Sequence, residues 1–125
     1  MVLPPLLQEH IDLLISQGYK IEIKEDQQIC IIFKDFPIPS NIWNPDKVDL
    51  LVIAHYTYPN AKMDMFWVDP PIALKNGLQA QAVSPDNQCG KAWLRFSWHV
   101  ATWNPNRDNL ITYLQDVNDR LSRAK

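Results

Sequence analysis

Polar and apolar positions along the chain follow two periods, one helical and one of two residues. Between Pro5 and Ser16, Leu6, Leu7, His10, Ile11, Leu13 and Leu14 recur at helical spacing, while Glu9 and Asp12 face water. Pro4-Pro5 at the start and Gly18 as the stop predict an amphipathic first helix over Pro5–Ser16. The period then changes. Tyr19, Ile21 and Ile23 alternate with Lys20, Glu22 and Lys24, the pattern of a half-buried strand. A polar turn over residues 25–28 leads into a second strand, Ile29–Phe33, and then the proline-rich Phe36-Pro37-Ile38-Pro39. After a turn at Trp43-Asn44-Pro45-Asp46, Val48–His55 reads as a third strand with Leu50, Val52 and Ala54 on one side. Met65–Val68 is a short fourth strand stopped by Asp69-Pro70-Pro71.

Residues 72–92 carry the weakest pattern. Asn76–Gly90 is rich in small and amide side chains and is expected to form a long ordered loop, the kind that is usually functional. Trp93–His99 alternates again, as a strand or an extended segment, and Trp103-Asn104-Pro105 is a turn. The last helix is predicted over Asn106–Ser122, with Leu110, Tyr113, Leu114, Val117 and Leu121 as its buried stripe and Asp108, Asp116 and Asp119 on its wet face. A four-stranded antiparallel meander with a helix at each end is an α+β arrangement, and residues 1–125 form one domain.

Composition narrows the classes of function. Hydrophobic residues are 46% and charged residues 21% of the chain, which argues for a packed core rather than disorder. Ten prolines against three glycines imply stiff connections. Net charge is −2 with no basic stripe, so nucleic acid is not an expected partner. The longest apolar run, Ile29–Phe33, is too short to cross a bilayer, and Met1-Val2-Leu3-Pro4-Pro5 does not read as a signal peptide. A cytoplasmic protein with no membrane contact is the expectation. Cys30 and Cys89 lack Cys-x-x-Cys spacing and are read as reduced thiols, with a disulfide between them as the alternative.

The order of these segments resembles ubiquitin-conjugating enzymes, the UBC-like family. Tyr58-Pro59 looks like the family's Tyr-Pro at the end of the third strand, Met65–Val68 like its fourth strand, and Trp103-Asn104-Pro105 like the Trp-x-Pro before its second helix. Met63–Pro71 and Trp93…Ser97-x-His99…Trp103-Asn104-Pro105…Leu110…Leu114 resemble more closely a bacterial branch, prokaryotic family E. The resemblance implies a UBC-like or RWD-like fold lacking the last two helices of the eukaryotic proteins. The implied role is in a bacterial ubiquitin-like modification pathway. Its implied partners are a ubiquitin-like modifier, an adenylating ThiF-like activating enzyme and a UBC-like partner protein. The family's His-Pro-Asn is absent. Asp69-Pro70-Pro71 stands in its place, and the stretch from Tyr58 to Trp103 is longer than the resemblance leads one to expect.

Acyl transfer of this kind needs an exposed thiolate and a donor to the oxyanion formed during attack. Cys89 lies in the polar loop, followed by Gly90, which admits a close backbone. Asn87, nearest in sequence, and Asn76 are candidate oxyanion donors, and His99 is a candidate base or positioning group. The competing readings are an incidental surface thiol at Cys89 and a structural His99 that caps Trp103 or bonds a backbone group. Cys30, inside an apolar strand, reads as a core thiol, and His10 and a half-buried His55 as structural. Ser97 and His99 share a strand face without the context of a hydrolase elbow. Three scattered histidines do not make a metal site, and no cofactor is expected. Five tryptophans exceed what so small a core takes up easily. One or two of them, with Pro37, Pro39 and Ile42, are candidates for a docking surface. Two functions follow: a thioester carrier acting through Cys89, or a non-catalytic UBC/RWD-like adaptor for the activating enzyme, the modifier or a catalytic partner. A third, an unrelated α+β binding domain, would be preferred if the strands are not a simple meander.

Overall fold

A computed structural model describes residues 3–25, 27–99 and 102–125. The reading of the first two residues, and of Asp26 in the turn after the first strand, lies outside these. Among the described residues the elements run α1 (Pro5–Ser16), β1 (Lys20–Glu25), β2 (Ile29–Pro37), β3 (Trp43–Asn44), β4 (Lys47–Ala54), β5 (Phe66–Asp69), β6 (Ala73–Leu74), β7 (Val83–Gln88), β8 (Lys91–Phe96) and α2 (Leu110–Leu121). The four expected strands are β1, β2, β4 and β5, and they pair in that order, each antiparallel to the next. The sheet has six strands, however, not four. β8 pairs with β5, and β7 pairs with β8 at the edge, giving the order β1-β2-β4-β5-β8-β7. The last two strands therefore break the simple meander. β3 and β6 form a separate two-stranded pair.

The expected long loop thus contains a strand. Val83-Ser84-Pro85-Asp86-Asn87-Gln88 lacks the apolar alternation of a central strand because β7 is an edge, where proline and polar residues are tolerated. Its turn was equally hard to read. Cys89 (φ 55°) and Gly90 (φ 76°) form the two-residue link between Gln88 and Lys91, and both occupy the left-handed region that such hairpin turns require. Asn-Gly is the usual signal there; a cysteine in the first place hides it. Gly90 serves the turn rather than a close backbone approach. A side chain there would meet only the Lys24 amine, at 3.8 Å.

Strand alternation divides the sheet into two buried faces. Ile29, Ile31 and Phe33 of β2, Leu50, Val52 and Ala54 of β4, Phe66 and Val68 of β5, and Leu94 and Phe96 of β8 face the helices. They meet Leu7, Ile11 and Leu14 of α1 and Leu110, Tyr113, Leu114, Val117 and Leu121 of α2. Phe33 and Phe36 share that face although three residues apart, because a register shift between them adds one residue to β2. Asp35, at φ 52°, takes up the turn, and Asp49 accepts from its backbone N–H at 3.2 Å and from Lys34 Nζ at 2.7 Å.

The outer face carries a smaller core of Cys30, Leu51, Trp67 and Trp93. It is covered by the chain's own hairpin. β8 pairs with β5 only as far as Leu94, so the rest of β7–β8 reaches across the sheet. Cys89 at its tip is bonded to Cys30 of β2, at a sequence separation of 59. The expectation of two reduced thiols is therefore corrected; Cys30 is buried as expected, but as half of a cross-link. Lys24 Nζ donates to the Cys89 carbonyl at 3.2 Å, and Lys91 pairs with Asp69 at 2.7 Å. The Asp86 carboxylate accepts from Trp67 Nε1 at 2.9 Å and from Gln88 Nε2 at 3.1 Å. These bonds, the Trp67 indole first, hold Asp86 below the usual carboxylate range.

Two aromatic side chains join the helices to the rest. The buried Tyr58 hydroxyl accepts from Leu110 N–H at 2.6 Å, at the start of α2, and meets His10 Nδ1 of α1 at 2.7 Å. Burial pushes Tyr58 up to about 12 and lowers His10. The one hydroxyl thus ties α1 to the start of α2, the structural role expected of His10. Trp43 is fully buried, packs edge-on to Phe96 and donates Nε1 to Leu121 O at 2.6 Å. The last helix begins four residues later than the pattern predicts. The Asn109 side chain accepts from Ile111 N–H and Thr112 N–H, and the Thr112 hydroxyl reciprocates in a capping box.

Two outcomes are expected. Trp43→Phe removes the indole N–H that satisfies the Leu121 carbonyl and leaves a small void at a fully buried site, and lowers stability by about 2–4 kcal/mol, read as a lower urea midpoint at unchanged slope. Asp86 has a lowered folded pKa, so its contribution is present above the ordinary carboxylate range and is lost as pH falls through the folded value. Asp86→Asn should therefore cost stability at neutral pH, with the gap to wild type closing below about pH 4. Thermal melts across that range measure it.

Candidate functional site

The sequence-predicted site residues lie at two ends of one strand. Cys89 sits at the hairpin tip, half-buried, with its sulfur in the bond to Cys30. Asn87 is exposed on β7 opposite Ala92. Alternation places it on the face away from Asp86 and Gln88, and so away from the tryptophans that surround the disulfide. Asn76 lies in the preceding loop, where its side-chain oxygen accepts from Leu78 N–H at 2.9 Å. His99 lies beyond the opposite end of β8. The strand from Lys91 to Phe96 separates it from Cys89 by on the order of 20 Å at the ordinary rise per residue. Cys89 and Asn87 share a hairpin; neither shares a site with His99.

The His99 end has a geometry of its own. The imidazole Nδ1 contacts both Asp64 carboxylate oxygens, at 2.7 and 2.8 Å, with His99 exposed and Asp64 half-buried. His99 does not cap Trp103, whose indole N–H donates to Pro59 O at 2.8 Å. That bond joins the two motifs, Tyr58-Pro59 and Trp103-Asn104-Pro105. Asp64 is positioned by its neighbour. Met65 holds a left-handed backbone (φ 61°), and its N–H donates to Trp98 O at 2.8 Å. The Tyr113 hydroxyl of α2 donates to Met65 O. Burial, with the nearby Asp64 charge, pushes that hydroxyl well above its ordinary range, so it remains a donor.

A carboxylate that fixes an imidazole is an arrangement used in general base catalysis. The pairing of β5 with β8 through Phe66 and Phe96 brings Asp64 to His99 across 35 residues of sequence. Sequence reading singled out His99 but missed Asp64, because the pair exists only once that register is known. Ser97 donates its backbone N–H to Ala82 O and lies past the last residue of β8. His55 is exposed, not half-buried, and meets Gln28 Nε2 at 3.3 Å. Trp43, Trp67 and Trp93 are buried; Trp98 and Trp103 are half-buried against the main core. Among the described residues no cluster of three His, Cys, Asp or Glu is disposed to hold a metal ion, and no helix is long and apolar enough to cross a membrane.

No curated protein and no solved structure matches the chain. The family model of prokaryotic E2 family E matches residues 6–124, nearly the whole length. The two helices and the antiparallel sheet are consistent with an E2-like fold. The chain therefore belongs to prokaryotic E2 family E, and with it to the E2-like components of ubiquitin-like conjugation.

Proposed function

We propose that this protein is an E2-like docking module of a bacterial ubiquitin-like conjugation pathway, which in its cross-linked form binds pathway proteins without carrying the modifier. One observation supports the reading above others. The Cys89 sulfur is bonded to Cys30, so it has no thiolate with which to accept an acyl group. The placement of His99 at the far end of β8, and of Asn87 on the opposite face of the hairpin, agrees with it. The partners are an adenylating, ThiF-like activating enzyme, the ubiquitin-like modifier and a catalytic UBC-like partner. The compartment is the cytoplasm.

A second reading has its own support. Cys89 is half-exposed at the tip of a turn, and disulfides of cytosolic proteins are commonly transient. Reduction by a dithiol would return both sulfurs to thiols and leave Cys89 free to carry the modifier as a thioester.

The two readings differ in one assay. The protein is reduced, freed of reductant, and mixed with the activating enzyme, ATP and the modifier, beside an untreated sample and Cys89→Ala. The docking module forms no covalent adduct in any sample yet retains the activating enzyme or the modifier on an affinity matrix. An adduct confined to reduced wild type, and cleaved by fresh thiol, would overturn that reading in favour of the carrier. Loss of the cross-link itself, by reduction or by Cys89→Ala, is expected to lower stability by about 2–4 kcal/mol, given the length of the closed loop. Denaturant unfolding with and without reductant measures this, and Cys89→Ala should show no further response to reductant.

A further inference from the structure

The two sulfurs of the cross-link stand in unequal surroundings. Cys30 lies inside β2 at 3% exposure, packed with Leu51, Trp67 and Trp93. Cys89 is half-buried at the tip of the β7–β8 hairpin, beside the exposed Gly90 and Lys91. An open concavity of 580 Å³ at the tip is lined by Asn87, Gln88, Cys89, Gly90, Lys91 and Ala92. Every one of these belongs to the hairpin, and Cys30 is not among them. A second concavity, of 450 Å³, reaches Lys24, Ile32, Lys91 and Trp93 and also leaves Cys30 out.

Two further features meet at the bond. Cys89 holds φ 55°, a conformation costly to a residue other than glycine, so the tip is strained where the sulfur is attached. Lys24 is the cross-strand partner of Cys30, and its Nζ donates to the Cys89 carbonyl at 3.2 Å. Its ammonium is in no ion pair among the described residues.

We propose that Cys89 is a site of thiol–disulfide exchange, where an external thiol bonds to the Cys89 sulfur and Cys30 is the leaving group. The incoming thiolate attacks Cys89 Sγ, and a new S–S bond forms there as the Cys30–Cys89 bond breaks. Cys30 departs with the electron pair as a thiolate and takes up a proton, replacing the one the external thiol gave up. Two effects compete in selecting the sulfur. Burial makes Cys30 the poorer leaving group and by itself favours attack on Cys30. Access favours Cys89 and decides, because Leu51, Trp67 and Trp93 close off the Cys30 sulfur from a nucleophile. The Lys24 ammonium beside the bond offsets part of the leaving-group cost by favouring the thiolate. Cys30 then stands next to the mixed disulfide. Against a monothiol it attacks Cys89 Sγ, expels the adduct and restores the cross-link. Against a dithiol, the second external thiol releases Cys89 reduced. The external thiol has two sources, a small monothiol or a dithiol protein. The inference rests on the cross-link alone and holds whether or not Cys89 carries a modifier.

The test exposes the oxidised full chain, under native conditions, to glutathione or to a dithiol oxidoreductase whose second cysteine is replaced by serine. Acid quenching, alkylation of free thiols with N-ethylmaleimide and peptide mapping by mass spectrometry locate the adduct. It is expected on Cys89, with the alkyl group on Cys30, in about tenfold or greater excess over the reverse pairing. Faster reaction of glutathione at equal thiol concentration assigns the site to small thiols; faster reaction of the oxidoreductase assigns it to a dithiol protein. Removing free glutathione before the quench should return wild type to the cross-linked form, whereas Cys30→Ala loaded with oxidised glutathione keeps its adduct. Should that variant fail to fold, the wild-type mapping decides alone. An adduct on Cys30 or shared evenly, no exchange until denaturant unfolds the chain, or a wild-type adduct that persists without free glutathione would overturn the proposal.

Discussion

The link between Cys30 and Cys89 is the constraint on which the outer half of this structure depends. A six-stranded sheet covered by two helices on one face leaves the other face to water unless something lies over it. Here the last hairpin supplies the cover. Trp93 and Trp67 provide the buried area, Asp86 satisfies the Trp67 indole, and the sulfur bond fixes the tip over β2. The apolar contacts alone are those of a small core. The cross-link, by limiting the freedom of the unfolded chain, lets so small a core hold the hairpin in place. The same bond leaves Cys89 without a free thiol.

Much of the inner layer could be read from the sequence. α1 begins and ends where Pro4-Pro5 and Gly18 place it, and Leu50, Val52 and Ala54 do share a face. Local pattern sufficed because those segments bury one continuous side. β7 escaped for the opposite reason. An edge strand buries little and bonds on one side, so Pro85, Asp86 and Asn87 cost it nothing and disguise it as loop. α2 starts four residues later than its pattern predicts, because the cap is Asn109, whose reciprocal bond with Thr112 no hydrophobic period reveals.

The site was less legible than the fold. Cys89, Asn87 and His99 lie close in sequence, and that proximity does not survive the passage of the chain along β8. What gathers at each end comes from distant segments instead: Cys30 and Lys24 at the tip, Asp64 and Tyr113 at the base. Arg120 gave no signal of its own. Its spacing, seven residues after Tyr113 and three after Val117, puts it on the buried side of α2, but a charged side chain there reads as solvent-facing until Phe96 and Trp98 are seen beside it.

The left-handed backbone at Cys89 carries a consequence for how such a hairpin changes over evolutionary time. Cysteine is a poor choice for that conformation, whereas asparagine adopts it readily. A descendant bearing Asn-Gly at the tip would make the same reversal with less local strain and no sulfur to pair. The shape of the turn does not require the sulfur; what a cysteine adds at this position is the bond to Cys30 that holds the tip over β2.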